Sequence, residues 1–240
     1  VADISTQVSA SLEALTREFE IIAHNMANVS TTGFKRRCNA FTNALAAQEQ
    51  EQAGGGEESP EVFDFSQGDL VQTDRTLDFA LHGKGFFVIE SPEGPLYTRH
   101  GIFTTSPNGQ IVDTAGRLVA GLSGPLLVPP VVGAAQIHVS SDGRIHAGQA
   151  LIGQFRIVEF ADREDQLLPA GLNCFRAPQG VEPVDAPEAT VKQGYKEASN
   201  VKLVDELVNM ILVSRLYEAN MKLVSVARET TSSTIGVAMG

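Results

Sequence analysis

The sequence predicts a mixed α and β protein: a discontinuous N- and C-terminal α-helical coiled-coil unit with an inserted antiparallel all-β domain. Three observations predict it. Apolar residues recur every three or four positions at both ends of the chain, the signature of amphipathic helices with a narrow apolar seam. Between residues 62 and 180 the period drops to two, and many short apolar runs are cut by turn signals, which describes antiparallel strands. A Gly-rich acidic stretch separates the first helix from the strands.

The first helix carries Ile4, Val8, Leu12, Leu15, Phe19, Ile22 and Met26, with mostly polar residues between them. At Asn25 the pattern gives way to HNMANVSTTGFKR, rich in Asn, Ser and Thr. Gly33 can take the left-handed conformation that ends helices. Asn25, Asn28 and Thr31 read as capping groups near the helix turn. Residues 36–61 form a connector whose GGGEES run maximises backbone freedom.

Strand segments follow at 77–81, 85–90, 95–100, 101–105, 110–114 and 117–121, then at 136–140, 144–148, 152–160 and 172–178. Asn108-Gly109 is the strongest hairpin signal among the turns. Residues 179–198 read as an extended return segment into the last helix, placed at 199–231. Its seam runs through Leu203, Leu207, Met210, Tyr217, Met221 and Val224, with Ser214 in the one gap. Ser199 or Asn200 supplies the cap, and Asp205 and Glu206 favour the helix N-terminus. The organisation is therefore 1–35 plus 199–240 as the helical unit, 36–61 as connector and 62–198 as the β domain. Leu12, Leu15, Phe19, Ile22 and Met26 are expected to pack on Leu207, Met210, Tyr217, Met221 and Val224.

Composition narrows the partners. A formal net charge of -11 disfavours nucleic acid, whose phosphates call for a basic surface, and anionic membrane likewise. The longest apolar stretch, 121–139, is broken by Pro125, Pro129 and Pro130, so no transmembrane helix is expected. Residues 1–20 show no basic region followed by an apolar run, so no cleaved secretory signal is expected. Cys38 and Cys174 are expected to be free thiols.

The search for chemistry yields no catalytic, cofactor or metal assignment. His138 and His146 flank Asp142-Gly143, but Asp142 is a poor third ligand. Gly83-Lys84-Gly85 lacks the spacing and the following helix of a phosphate loop and reads as a turn. Glu197 and Glu218 with Arg215 read as a solvated or interfacial helix face. The expectation is a structural or binding protein, not an enzyme. An extracellular β-domain binding module is the rival class. It would need an exposed aromatic patch, and aromatics are 6% with no Trp.

The stretch IIAHNMANVSTTGFK (21–35) resembles the N-terminal signature of the axial proteins of the bacterial flagellum. It matches at Asn25, Ala27, Asn28, Thr31, Thr32, Gly33, Phe34 and Lys35. Residues 197–224 resemble the C-terminal signature at Glu197, Ser199, Asn200, Val201, Glu206, Met210, Ile211, Arg215, Tyr217, Glu218 and Asn220. SQGDLVQTDRTLDFALHGKGFFVI (66–89) and LYTRHGIF (96–103) are similar to the β-domain motif of rod and hook proteins. Asp74-Arg75-Thr76 stands in place of the more usual glycine-containing turn. The chain is thus identified as a member of the flagellar basal-body rod family. The short connector favours the proximal-rod form, with the distal rod or another axial protein as the alternative. The resemblance implies export through the flagellar type III apparatus without a cleaved signal. It also implies a periplasmic location and helical assembly with copies of itself and other rod proteins into the shaft that transmits torque from motor to hook.

Overall fold

A computed structural model describes residues 2–38, 62–130, 133, 136–161 and 163–239, with the backbone alone described for 2–7 and 227–239. The fold is mixed α and β, and the chain divides into two compact units. One is built on Val1–Ala27 and Lys202–Gly240, and the other is Asn28–Arg36 with Pro60–Val201. The connector expected over 36–61 lies, from residue 39 on, outside the described residues.

The helical unit consists of α1, Ala2–Ala27, and α2, Leu203–Met239. The chain forms α1 because polar and apolar residues alternate at helical spacing and no Pro or Gly interrupts it. The two helices pack on each other. Asn25 meets Glu206 and Ser11 meets Asn220, so sequence rises along one helix as it falls along the other and the pair is antiparallel. Helix α2 starts at Leu203, later than the expected 199, because residues 199–201 are engaged elsewhere (below). The acidic first turn of Asp205 and Glu206 suits the positive helix end.

The β unit is a set of short antiparallel ladders around a six-stranded sheet. In spatial order that sheet holds Leu168–Pro169, Cys174–Arg176, Leu96–Thr98, Phe86–Ile89, Ile157–Glu159 and Val184–Asp185. Its central strand explains the run Phe86-Phe87-Val88-Ile89. Side chains alternate across a sheet, and Phe87 and Ile89 enter one apolar cluster while Phe86 and Val88 enter a second. A strand buried on both faces reads as continuously apolar. Leu96 and Tyr97, Ile157 and Val158, and Cys174 and Phe175 split between the clusters in the same way. Edge-to-face aromatic contacts fill both. Phe155 lies 5.0 Å from Phe79 and 5.5 Å from Phe87, and Tyr97 lies 4.8 Å from Phe160.

Two expectations needed revision. The run 152–160 was expected as one strand. It is two, Ala150–Gln154 and Ile157–Glu159, in different sheets, with Phe155 between them closing a core. The return segment carries ladder strands of its own. Thr190–Gln193 pairs with Phe79–His82, and Tyr195–Glu197 pairs with Leu70–Gln72, so the end of the β unit is stitched to its beginning. At the turn before Leu77, Asp74 takes φ 56, a conformation that Asp tolerates better than most side chains. Its Oδ1 also accepts a hydrogen bond from the Gln72 side-chain Nε2 at 2.7 Å. Cys38 and Cys174 are not joined in a disulfide. Burial, the largest influence, holds the Cys174 thiol above its ordinary pKa, while Arg117 donates to its Sγ at 3.1 Å.

Candidate assembly surface and motif-bearing polar clusters

The end motifs build two buried polar clusters, one in each unit. In the β unit the centre is Glu197, fully buried at the end of the strand Tyr195–Glu197. This corrects the expectation that it shares a solvated helix face with Glu218 and Arg215, which are both exposed on α2. Its Oε1 accepts from Lys35 Nζ at 2.6 Å and from the Gly68 amide at 3.2 Å. Its Oε2 accepts from Arg99 at 3.4 Å, and its backbone carbonyl accepts from the Gly33 amide at 2.8 Å. Lys35 also donates to the Ser66 carbonyl at 2.6 Å, and Arg99 to the Gly83 carbonyl at 2.8 Å. The Arg99 guanidinium lies 5.4 Å from the centre of the Phe86 ring.

Two buried cations therefore share one carboxylate. Desolvation, the largest influence, lowers the pKa of both Lys35 and Arg99, and Glu197 opposes it in each case. Such a cluster orients chain segments more than it stabilises them, because the desolvation cost offsets much of the attraction. It brings 33–35, 66–68, 99 and 197 to one point.

Gly33 is required there by geometry. It sits at φ 65, and an added Cβ would lie 2.5 Å from the His100 amide nitrogen. Phe34 is buried at 5% exposure. Asn28 and Thr31 make a local turn: the Thr31 hydroxyl donates to Asn28 Oδ1 at 3.1 Å, and the Thr31 amide to the Asn28 carbonyl at 3.0 Å. Ser199 Oγ accepts from the Val201 amide at 3.2 Å. Asn200 Oδ1 accepts from the Arg36 amide at 2.7 Å, and its Nδ2 donates to the Asp64 carbonyl at 2.8 Å. Ser199 and Asn200 thus satisfy backbone groups of the β unit, which is why α2 begins after them.

In the helical unit the centre is Asn25, fully buried. Its Oδ1 accepts from the Arg37 amide at 2.9 Å, and its Nδ2 donates to the Arg37 carbonyl at 2.9 Å. The side-chain amide pairs with the backbone as one peptide group pairs with another across a ladder. Nδ2 also reaches Glu206 Oε1 at 3.3 Å, and Glu206 is fully buried. Sequence reasoning placed Glu206 at the helix dipole and in the end motif, without a buried partner. The signal that could have found it is its place in the end motif.

The predicted helix seam is distributed unevenly. On α1, Ile22 is buried and Leu12, Leu15, Phe19 and Met26 are half-buried. On α2, Met210 and Val224 are half-buried, whereas Leu207, Tyr217 and Met221 remain 43%, 37% and 46% exposed. The stripe that sinks deepest on α2 contains Glu206, Val213 and Asn220. Asn220 donates to Ser11 Oγ at 3.3 Å. Outside that stripe α2 exposes many apolar side chains among its charged ones: Val204, Val208, Ile211, Leu212, Leu216, Leu223 and Val226 are all more than half exposed. Exposed apolar surface of this extent marks an interaction surface.

His138 and His146 are direct cross-strand partners, and no third ligand joins them among the described residues. No helix among the described residues is long and apolar enough to cross a membrane.

Comparison with known proteins agrees with this arrangement. Residues 192–237 match the family described as flagellar basal body rod FlgEFG protein C-terminal, and residues 80–147 match the flagellar hook protein FlgE/F/G D1 domain. The chain is 32% identical over 228 residues to the flagellar basal-body rod protein FlgF of Caulobacter vibrioides, covering 92% of this chain and 91% of the relative. It is 32% identical over 255 residues to the flagellar basal-body rod protein FlgG of Agrobacterium fabrum, covering 93% and 95%. It is 30% identical over 239 residues to the FlgG of Bacillus subtilis, covering 88% and 90%. Two end motifs that together build both buried clusters, an inserted antiparallel β unit and likenesses covering about nine-tenths of each chain lead to one conclusion: the chain belongs to the flagellar basal-body rod protein family, whose members are structural proteins of the basal body.

Proposed function

We propose that this chain polymerises, with copies of itself and with other rod proteins, into the helical drive shaft that transmits torque from motor to hook. The observation that carries this reading is the uncovered apolar surface of α2. Seven large aliphatic side chains left in water by their own chain are a standing free-energy incentive to associate. Neighbouring terminal helices cover them in a coiled-coil core, with Leu207, Tyr217 and Met221 facing another subunit. The helices need that packing, because helical stability in proteins comes mainly from tertiary burial. A head-to-tail contact that does not close on itself then grows as a helix of subunits.

The subunit acts in the periplasm as part of the rod, after passage through the flagellar type III export apparatus. Family membership supports this placement. The proximal-rod form is favoured. The short connector between Lys35 and Gln67 supports this form. Its role is mechanical: no catalytic step is assigned to any residue.

Leu207→Asp tests the reading. Position 207 is exposed in the single chain, so the variant is expected to keep the wild-type β-sheet circular dichroism and melting temperature while failing to build rods in a motility complementation assay. Normal rods from that variant would overturn the reading.

A further inference from the structure

We propose that the β unit carries a lateral knob-and-socket contact, distinct from the terminal helices, in which Leu172 of one copy enters the cleft beside Leu122 of the next. The inference rests on the assembly reading above and adds a second, separate interface to it.

The knob is a three-residue hairpin tip. Gly171, Leu172 and Asn173 sit at φ 79, 50 and 56. Only glycine and, less often, Asn adopt this region readily, so a leucine there is strained. The strained residue is also 69% exposed, the highest value among the large apolar side chains of the described residues of the β unit. Burial in its own core therefore does not explain why an apolar side chain occupies the position. Strain held at an exposed tip is a feature of contact sites. The tip is rigidly held: the Cys174 amide donates to the Gly171 carbonyl at 2.9 Å, and the Thr98 hydroxyl donates to the Asn173 carbonyl at 2.7 Å. On the same hairpin, Leu168 is 49% exposed.

The socket lies at the opposite edge of the same sheet. A cleft of about 260 Å³ is lined by the apolar Leu122, Phe155, Ile157, Ala186, Pro187 and Ala189, together with the polar Asp142, Gln154 and Asp185. Its apolar wall is roomy enough for a leucine side chain. Leu122 and Val184 stand exposed beside it, matching the two leucines of the hairpin. The knob hairpin joins the first two strands of the six-stranded order, whereas Ile157 and Asp185 of the socket belong to its last two, about 19 Å away at the usual strand spacing. A projecting apolar residue on one side and a complementary cleft on the other give a heterologous contact, which propagates instead of closing. A second copy of this chain therefore satisfies both surfaces at once.

The test uses full-length chains in purified basal bodies. A photo-crosslinking amino acid at position 172 is expected to link, by mass spectrometry, to peptides containing Leu122, Phe155 or residues 184–189 of another copy. Leu172→Gly removes the knob and relieves the strain, so it should match or exceed the wild-type melting temperature yet reduce rod yield at least tenfold. Leu122→Asp should produce the same loss from the socket side. Crosslinks only within one copy, to another protein or to another surface would overturn the proposal while leaving assembly through the helices intact. So would normal rod yield from Leu172→Gly. Absence of the wild-type chain from basal bodies would overturn both.

Discussion

Replacing Glu197 by Gln changes one charge and almost no volume, which makes it the sharpest probe of the β unit. The wild-type carboxylate faces two cations, Lys35 at 2.6 Å and Arg99 at 3.4 Å, and all three side chains are at most 4% exposed. The amide still accepts hydrogen bonds, but the two buried positive charges then face each other without compensation. Breaking a buried ion pair from one side costs about 3–5 kcal/mol. A domain is stable by only about 5–15 kcal/mol, so the variant should unfold at much lower urea concentration. The deficit should also depend on pH. Burial holds the Lys35 pKa below its ordinary 10.5, and Glu197 is the group that pulls it back up. Between the folded and unfolded pKa values the unfolded chain binds more protons, so stability rises with pH across that interval. Without Glu197 the interval extends to lower pH. The difference between variant and wild type should therefore shrink from pH 7 to pH 10. Urea melts followed by circular dichroism measure both quantities. A loss below about 1 kcal/mol at pH 7, or a deficit equal at the two pH values, would refute the reasoning.

Two further predictions concern the end motifs. Asn25→Ala leaves the Arg37 amide and carbonyl without their partner at 2.9 Å and should cost about 2 kcal/mol or more in urea unfolding, whereas a cap exposed to water would cost about 1. Gly33→Ala forces a side chain into a left-handed position and against the His100 backbone. It should destabilise the β unit by more than the roughly 1–2 kcal/mol of backbone strain alone, read as a lowered melting temperature, while Gly116→Ala, at φ 80 with open space around it, should cost only the strain.

Much of the β unit was legible because its signals are local. Alternation, Asn108-Gly109 and the continuous run at 86–89 each report their own surroundings. The split at Phe155 was not legible, since nothing in 152–160 marks where a strand leaves one sheet for another. The α2 seam was half legible for a different reason. Leu203, Leu207, Met210, Tyr217 and Met221 keep the three-four spacing, but so does the line through Glu206, Met210, Val213, Tyr217, Asn220 and Val224. A helix apolar on several faces offers more than one seam, and periodicity cannot choose between a face covered by its own chain and one left for others. Glu206 and Asn220 were invisible to a search for apolar stripes because they are polar. Glu197 was misplaced because a charged residue next to a helix is usually solvated. Only its distant partners, Lys35 and Arg99, reveal it as buried.

The central claim is that the apolar face of α2 is covered by other subunits. Hydrogen exchange of residues 203–226, read by mass spectrometry in the dilute chain and in purified basal bodies, tests it directly. The account predicts faster exchange in the dilute chain, where the apolar face of α2 is uncovered and the helix opens more readily, and strong protection in the rod. Equal exchange in the two states would contradict it.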